Sequence, residues 1–296
     1  MLSKKYIFIV IFSLLCSQVK QAYADYKNQP ITESLRIISL APSTTEILFA
    51  LGLEKEIIGI SSLCNYPQQT KHKEKIGTFS CPDIEKIIFL KPDLIFCTGL
   101  KQSVIAQKLK ELKLSVYINA PANIKELFES IREIGSLTNK QKNAEILIQK
   151  MQNDIETVNS SIKNIPEESR PKVFVEIWNK PLMAAGKNSF INELITLAGG
   201  INIAYDTKKT YSSFNAETVI ERKPDCIIIG YMQKETPIKL IAGRFGWENI
   251  PAVRNNRIYN DINTDLFLRP GPRLTEGLKQ IHARLYPKKP PKEKNE

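Results

Sequence analysis

Histidine and paired cysteine are scarce in this chain of 296 residues. The sequence has two histidines, His72 and His282, and none of its five cysteines belongs to a C-x-x-C pair. Structural zinc sites are usually built from Cys and His residues at such short spacings. We therefore expect neither a metal site nor a bound cofactor.

The sequence also lacks the short motifs of common enzymes. No G-x-S-x-G surrounds Ser43, and there is neither a G-x-G-x-x-G nor a Walker-type phosphate-binding loop. A nucleophilic serine needs a partner base, whereas His72 lies in a lysine-rich loop and His282 in the last predicted helix. We therefore expect a binding protein without a catalytic residue.

Long apolar runs are absent after the N-terminus. A basic start is followed by an apolar run from Tyr6 to Cys16, which is too short to cross a bilayer, and then by the small-x-small triplet 22–24. This order predicts a signal peptide over residues 1–24, cleaved after Ala24, and hence a periplasmic protein. An uncleaved anchor is one alternative. A lipoprotein is disfavoured, because Leu15 precedes Cys16 where a small residue is needed.

Acidic residues are outnumbered, with 31 Asp and Glu against 42 Lys and Arg and a formal net charge of +11. A basic excess can indicate nucleic acid or a membrane surface as partner. However, no basic block carries interleaved aromatic residues, and the densest basic segment is the tail, residues 287–296, which we expect to be disordered. The charge is therefore interpreted as a solvated surface, and we expect no nucleic acid partner.

Short apolar strands and amphipathic helices alternate along the rest of the chain. Such alternation is typical of parallel sheets covered by helices on both faces. It predicts an α/β protein with two Rossmann-like lobes, an N-terminal lobe at residues 25–137 and a C-terminal lobe at residues 166–286. The predicted strands include residues 36–40, 56–60, 93–97, 115–118, 172–178 and 257–261.

A single long helix is predicted between the lobes, over residues 138–165. Its apolar residues recur at helical spacing, at positions 144, 147, 148, 151, 155, 158 and 162. A flexible linker would instead be rich in Gly and Ser. We therefore expect the two lobes to be joined by a stiff rod.

The two halves repeat one another. Residues 85–96 read EKIIFLKPDLIF and residues 217–228 read ETVIERKPDCII, so that a Glu precedes Lys-Pro-Asp by six residues in both. This shared spacing indicates an internal duplication of one α/β unit.

The first helix of each half shows a second shared spacing. Glu46 precedes Gly52 by six residues, and Glu193 precedes Gly199 by six residues. Ser43 and Glu46 also have the spacing of a capping box, which predicts that Ser43 begins this helix and that Gly52 ends it.

Parallel sheets bind ligands beyond the carboxyl ends of their strands. We therefore expect the two lobes to face each other across a cleft, with loops at 178–186 and 205–214 among those that line it. Aromatic residues in such loops suit a large, partly apolar ligand. The alternative for each of them is that it only anchors its own loop. These aromatic residues are Tyr66, Phe79, Trp178, Tyr205, Tyr211, Phe214 and Phe267.

Four cysteines remain after the predicted cleavage. Cys97 and Cys226 border apolar runs and are expected to be buried thiols. Cys64 and Cys81 lie in predicted loops, and an exported protein has the option of joining them in a disulfide. The sequence leaves both states open.

Six segments in order resemble those of one protein family: RIISLAPSTTEILFALGL, SSLCNYPQQ, IGTFSCPDIEKIIFLKPDLIF, PLMAAGKNSFINELITLAGGINI, WENIPAVRNNRIYN and LRPGPRLTEGL. These are typical of the substrate-binding proteins of ABC importers with a single helical backbone, which serve cobalamin, ferric siderophores and haem. The resemblance spans nearly all of the mature chain and is strongest to the cobalamin-binding members. It implies the class III periplasmic binding protein fold and an ABC permease dimer as partner, and we expect a monomer.

The resemblance also implies a ligand, cobalamin or a related corrinoid. Three aromatic residues would stack on the corrin ring, and an Asp and an Arg would bond its amide side chains unless they form only a local ion pair. The implied contacts are Phe79, Thr98, Trp178, Met183, Tyr211, Asp265 and Arg269. Leu63 and Thr98 depart from the family pattern, since the better-known cobalamin binder has aromatic residues there.

In this family, one exposed Glu of each lobe docks onto arginines of one permease subunit. The corresponding residues here are Glu85 and Glu217. The alternative is that each Glu only stabilises its own helix, because a carboxylate near the N-terminus interacts favourably with the helix dipole.

A ferric siderophore or haem is the alternative ligand on the same scaffold. Siderophore sites favour Arg and Tyr, and haem needs a Tyr or His ligand. The residues that keep this alternative open are Tyr66, Tyr205, Tyr211, Arg244, Arg269 and Arg273. Haem is less favoured, because His72 and His282 lie outside the expected cleft.

Overall fold

The computed structural model describes residues 34–99, 102–231 and 238–287. The predicted signal peptide and nearly all of the predicted tail lie outside these residues. The first lobe alternates strand and helix, as the sequence predicts. Its elements are β1 (Ile37–Ser39), α1 (Pro42–Ala50), β2 (Ile57–Ile60), α2 (Ile84–Phe89), β3 (Leu94–Cys97), α3 (Ser103–Glu111), β4 (Val116–Ile118) and α4 (Ile124–Leu137).

The sheet of this N-lobe is entirely parallel, in the order β2-β1-β3-β4. Parallel strands are connected by helical crossovers, and these cover both faces of the sheet. Ile38 of β1 and Ile95 of β3 accordingly pack with Ile87 of α2 and Leu109 of α3 in one buried cluster. The strands therefore direct their carboxyl ends, and the loops that follow, to one edge of the lobe.

The rod between the lobes is the helix α5 (Gln141–Ile162), whose 22 residues extend about 33 Å at 1.5 Å per residue. Most of the predicted apolar stripe is buried, at Ala144, Ile148, Met151, Val158 and Ile162. The neighbouring helix α4 runs close to α5, since a Cβ atom on its Gly135 would lie 2.7 Å from the Cβ of Ala144.

The C-lobe has more elements than its N-terminal counterpart. They are β5 (Lys172–Trp178), β6 (Met183–Ala185), α6 (Phe190–Leu197), β7 (Ile201–Asn202), β8 (Tyr211–Ser213), α7 (Ala216–Arg222), β9 (Cys226–Ile229), α8 (Ile238–Ala242), α9 (Pro251–Arg254), β10 (Ile258–Tyr259), α10 (Asp265–Leu268) and α11 (Leu274–Leu285). The strand order is β10-β9-β5-β6-β8, and β7 pairs with β5. Strands β10, β9, β5 and β7 are parallel, whereas β6 is antiparallel to both β5 and β8.

Two segments that were predicted to be loops contain the strands of the antiparallel edge. Residues 178–186 and 205–214 contain β6 and β8, so that Met183 and Tyr211 lie on strands rather than in loops. Each strand has three residues, Met-Ala-Ala and Tyr-Ser-Ser, and neither shows the apolar alternation by which strands are recognised.

The repeated Lys-Pro-Asp segments form the same turn twice. Lys91 and Lys223 have left-handed backbones, with φ of 45° and 48°, within two residues of the ends of α2 and α7. The Asp93 carboxylate accepts the Arg36 backbone N–H at 2.7 Å, and the Asp225 carboxylate accepts that of Lys172 at 2.8 Å. Each Asp thus ties the start of one strand to the start of its neighbour, which gives the repeat a structural role in both lobes.

The predicted capping box is wrong. Helix α1 begins at Pro42, a residue suited to the first helical position, and its N-cap is Ala41 without a side-chain hydrogen bond. Ser43 is buried within the first turn, and the Glu46 side chain has other partners. Gly52 does follow the end of the helix, with a φ of 79°.

The structure does not contain the disulfide that was considered for Cys64 and Cys81, since both are free thiols. Cys64 is buried, and its sulfur contacts the hydroxyl groups of Thr45 at 3.1 Å and Ser61 at 3.2 Å. Cys81 is exposed at the surface. Cys97 and Cys226 are buried free thiols, as predicted.

No helix within the described residues combines the length and the apolar character that a membrane span requires.

Candidate functional site

A cavity of about 560 Å³ opens at the carboxyl edge of the N-lobe sheet. The loops after β1, β2 and β3 form most of its wall, and the end of α10 in the C-lobe closes one side. Three of the predicted ligand contacts, Phe79, Thr98 and Arg269, lie in this wall. The remaining lining residues are Ala41, Pro42, Ser43, Ser62, Leu63, Thr78, Ser80, Leu268 and Pro270.

Gln102, which the sequence did not single out, holds three of these wall segments together. Its amide nitrogen donates to the carbonyl oxygens of Phe79 at 2.8 Å and Leu40 at 3.0 Å, and its amide oxygen accepts the Thr98 N–H at 2.9 Å. The side chain is fully buried. One residue therefore satisfies backbone groups from all three loops and fixes the positions of Phe79 and Thr98.

Three of the predicted C-lobe contacts, Trp178, Met183 and Tyr211, lie on the antiparallel edge of the second sheet. Trp178 on β5 is paired with Met183 on β6, and Tyr211 on β8 is paired with Ala185. The Trp178 indole N–H donates to the Lys180 carbonyl at 2.9 Å. These residues are not among those that line the N-lobe cavity, so the predicted contacts fall into two groups, one around that cavity and one on the antiparallel edge of the C-lobe.

Trp178 and Tyr211 are unusually exposed for large aromatic side chains, at 46% and 41%. The Trp178 ring also meets the Tyr231 ring edge to face, with centroids 6.2 Å apart. This part of the C-lobe thus presents aromatic surface that the protein itself leaves uncovered.

Asp265 and Arg269 bind each other and the opposite lobe. Their side chains form an ion pair at 2.9 Å. The Asn65 amide of the N-lobe donates to Asp265 at 3.3 Å and accepts from Arg269 at 2.7 Å. The local ion pair considered from the sequence is therefore present, and it is extended by a contact between the lobes.

The two other arginines considered for an anionic ligand are also bound to carboxylates, and neither lines the cavity. Arg273 forms two hydrogen bonds with Glu46, at 2.6 and 2.8 Å, and stacks over the Tyr66 ring. Arg244 forms two hydrogen bonds with Glu176, at 2.6 and 2.7 Å. Burial raises the pKa of Glu46, and its bonds to Arg273 oppose this rise.

The described residues contain no group of three or more His, Cys, Asp or Glu side chains arranged to hold a metal ion. His282 donates from Nδ1 to the Ala198 carbonyl at 3.0 Å and pairs through Nε2 with the Ser161 hydroxyl at 3.1 Å, away from the cavity wall.

The family model for periplasmic binding proteins matches residues 37–262, most of the described chain. The protein belongs to the periplasmic binding protein family. This confirms the predicted family and its class III fold.

Two named relatives of this periplasmic binding protein are described by what they bind or by their role in substrate binding. It is 32% identical to an uncharacterised ABC transporter substrate-binding lipoprotein of Bacillus subtilis, over 89% of this chain and 84% of the relative. It is 29% identical to the vitamin B12-binding protein of Vibrio cholerae, over 83% of this chain and 87% of the relative. Members of this family are substrate-binding proteins of ABC importers rather than enzymes.

A solved structure from Staphylococcus epidermidis is similar over the same region. It is described as a possible iron-binding, periplasmic solute-binding protein, and it has a TM-score of 0.76 and 32% identity over 85% of this chain and 98% of that chain. Relatives of comparable similarity are thus described with different ligands.

The two glutamates predicted to dock a permease occupy equivalent places in this periplasmic binding protein. Glu85 lies in the first turn of α2 and Glu217 in the first turn of α7, and both are exposed. Their helices are capped by Asp83 and Asn215, each of which accepts a backbone N–H of the first turn. Because the caps are supplied by other residues, neither Glu is needed to begin its helix.

Proposed function

We propose that this protein captures cobalamin or a related corrinoid in the cleft between its lobes and delivers it to an ABC permease. The ligand would lie between the N-lobe cavity and the aromatic edge of the C-lobe. Phe79, Thr98 and Arg269 would contact it from one side, and Trp178, Met183 and Tyr211 from the other.

The choice of ligand rests on the arginines, because their charges are already paired with carboxylates of the protein. The three arginines considered for an anionic ligand are already bound to carboxylates of the protein: Arg244 to Glu176, Arg269 to Asp265 and Arg273 to Glu46. A ferric siderophore or a haem presents anionic oxygens, which favour arginines that are free to bind them. Neutralised arginines instead favour a ligand with neutral amide groups at its rim, as a corrinoid has.

The exposed aromatic surface favours a flat macrocycle as the ligand. The Trp178 and Tyr211 side chains are nearly half exposed and would gain contact area against a ring system. The relative from Vibrio cholerae, which is named for vitamin B12 binding, points to the same ligand class.

An iron complex is the second candidate, favoured by the similarity to the Staphylococcus epidermidis protein. Leu63 and Thr98, in the cavity wall, make this side of the cleft less aromatic than the family pattern for cobalamin. An anionic ligand would have to compete with Asp265 for Arg269.

Calorimetric titration tests the ligand. The exported protein is titrated with cyanocobalamin, with a panel of ferric siderophores and with haemin. We expect tight one-to-one binding of cyanocobalamin that is lost in Trp178→Ala and retained in Phe89→Ala, a control at an aromatic residue that is 82% exposed on α2. Binding of a siderophore or of haemin without cyanocobalamin would contradict the ligand and favour the second candidate.

We also propose that the protein is exported by a signal peptide cleaved after Ala24 and acts outside the cytoplasmic membrane. Mass spectrometry of the protein from the cell envelope is expected to find Asp25 at the N-terminus. A lipid-modified Cys16 would instead show a lipoprotein, the form named for the relative from Bacillus subtilis.

A further inference from the structure

Two glutamates at equivalent positions of the repeat make contacts between the lobes. Glu46 on α1 and Glu193 on α6 each precede a glycine by six residues. Both glycines, Gly52 and Gly199, follow the ends of these helices with positive φ, 79° and 85°. The two glutamates therefore occupy the same place in the duplicated unit.

Glu46 reaches from the N-lobe to two arginines of the C-lobe. It is 4% exposed, and its two oxygens accept hydrogen bonds from Arg273 at 2.6 and 2.8 Å. A second cation, Arg269, lies 3.9 Å from the same carboxylate. The Arg273 guanidinium is held on its other side by the ring of Tyr66, 3.8 Å from the ring centroid. Such two-pronged pairing fixes both distance and orientation.

Glu193 reaches in the opposite direction, from the C-lobe to the N-lobe. Its carboxylate accepts the backbone N–H of Ile124, the first residue of α4, at 2.9 Å. The N-terminus of a helix carries unpaired N–H groups and a partial positive charge, so that a carboxylate is favoured there. The N-cap Asn123 binds the N–H of Glu126 and leaves that of Ile124 to Glu193.

We propose that Glu46 and Glu193 are a matched pair of positioning residues that fix the spacing of the two lobes across the cleft. Opening the cleft breaks the pair of Glu46 and Arg273 and leaves two partly buried charges without partners, which is costly. Glu46 also orients Arg269, whose side chain forms part of the cavity wall. The rod α5 joins the lobes, and the two glutamates set how far apart they rest.

The distance between two nitroxide labels, measured by double electron–electron resonance on the ligand-free protein, tests this proposal without reference to the ligand. The labels are placed at Val104→Cys on α3 and Leu240→Cys on α8, which are exposed positions of the two lobes. The background carries Cys16→Ser and Cys81→Ser, and the buried cysteines remain.

Glu46→Ala and Glu193→Ala are expected to shift or broaden the distance distribution. Glu193→Gln keeps an oxygen that accepts the Ile124 N–H and is expected to restore the narrow distribution. The matched control is Asp206→Asn, which weakens a two-pronged pair with Arg222 inside the C-lobe and is expected to leave the distance unchanged.

The double variant Glu46→Gln with Arg273→Gln covers the case in which Glu46→Ala does not fold, since it leaves no buried charge unpaired. It is expected to broaden the distribution as well. An unchanged distribution in this double variant and in Glu193→Ala would overturn the proposal, and so would equal broadening in Asp206→Asn.

Discussion

At the scale of single residues, Gln102 fixes the shape of the cavity without lining it. It contributes no atom to the described lining, yet its three hydrogen bonds hold the segments that provide Phe79 and Thr98. The cavity wall is thus an arrangement of backbone segments around one buried amide, and the side chains that line it depend on that arrangement.

Gln102→Leu is expected to lower the free energy of unfolding by about 2–3 kcal/mol, because two carbonyl groups and one N–H lose their partner in a buried place. It is also expected to weaken ligand binding, since the Phe79 and Thr98 segments are no longer tied together. Urea unfolding and calorimetry measure the two effects. Gln107→Leu, at an exposed position of the same helix, is the control and should change neither. Full affinity in Gln102→Leu would show that the loops hold their positions without it.

The sequence allowed some of these residues to be predicted and not others. Phe79, Thr98 and Arg269 were reached through the family resemblance, and the structure brings them to one cavity. Gln102 was not predicted, because a glutamine at the start of a helix forms no pattern, and its partners are carbonyl and N–H groups that every sequence has. Glu46 was interpreted as half of a capping box, since its spacing from Ser43 is the same whether it bonds locally or to a distant arginine.

At the scale of the helix and the strand, the repeated Lys-Pro-Asp turn explains why the two halves share their spacing. The Lys ends a helix in the left-handed region, the Pro prevents its continuation, and the Asp ties two parallel strands together. This structural role accounts for the repeat without a partner protein, so that docking by Glu85 and Glu217 rests on their exposure and on the family resemblance.

Replacing the left-handed lysines gives a test of this turn. Lys91→Gly and Lys223→Gly are each expected to raise the free energy of unfolding by up to about 1 kcal/mol, because a glycine adopts positive φ without the Cβ clash. The gain is reduced by the greater freedom of glycine in the unfolded chain. Chemical unfolding measures it, and Lys108→Gly inside α3 should lower stability by about 1 kcal/mol instead. A loss of stability in Lys91→Gly and Lys223→Gly would contradict the strained backbone.

The ion pair that joins the end of α7 to the β7–β8 connection has a defined pH dependence. The hydrogen bonds from Arg222 lower the pKa of Asp206 below its ordinary value of 3.8. A lowered carboxyl pKa stabilises the fold above the unfolded value, and this contribution is lost as the pH falls through the folded pKa. The contribution of Asp206 to the stability of the fold is therefore lost below pH 3.8.

Asp206→Asn is accordingly expected to lower the free energy of unfolding at neutral pH by at most about 1 kcal/mol, since the Asp206 side chain is half exposed. The difference from the unmodified protein should shrink as the pH falls below 3.8. Urea unfolding along a pH series measures both curves. Glu129→Gln, where the nearest Lys lies 3.9 Å away, is the control. A difference that stays constant into strong acid would rule out the ionised pair as its source.

The parallel strands were predictable because each is a short apolar run between helices, and β1 to β5 lie where the sequence places them. The antiparallel edge of the C-lobe was not, because Met-Ala-Ala and Tyr-Ser-Ser carry no alternation and owe their conformation to the neighbouring strand. The antiparallel edge, which distinguishes the C-lobe from the N-lobe, is thus the part of the fold that is hardest to predict from local sequence.

For the whole molecule, the duplication produces a protein with paired contacts. The Lys-Pro-Asp turns lie inside the lobes, Glu46 and Glu193 lie between them, and Glu85 and Glu217 face outward on equivalent helices. A partner with twofold symmetry would meet the last pair at two equivalent sites. The surroundings of the pair differ, however, since Ile88 and Phe89 are exposed beside Glu85, whereas the residue at the position equivalent to Phe89 is Glu221.

Reversing both outward charges tests docking by the whole molecule. Glu85→Arg together with Glu217→Arg is expected to abolish uptake of labelled ligand by cells, because two arginines then face the cationic sites proposed on the permease. Calorimetric affinity should stay unchanged, since both residues are exposed in the first turns of α2 and α7 and neither lines the cavity. Each single reversal should reduce uptake partially, and the reversal of Glu145, an exposed residue of α5, should leave it intact. If affinity falls together with uptake, these residues act in the cleft, and docking through the duplicated glutamates is excluded.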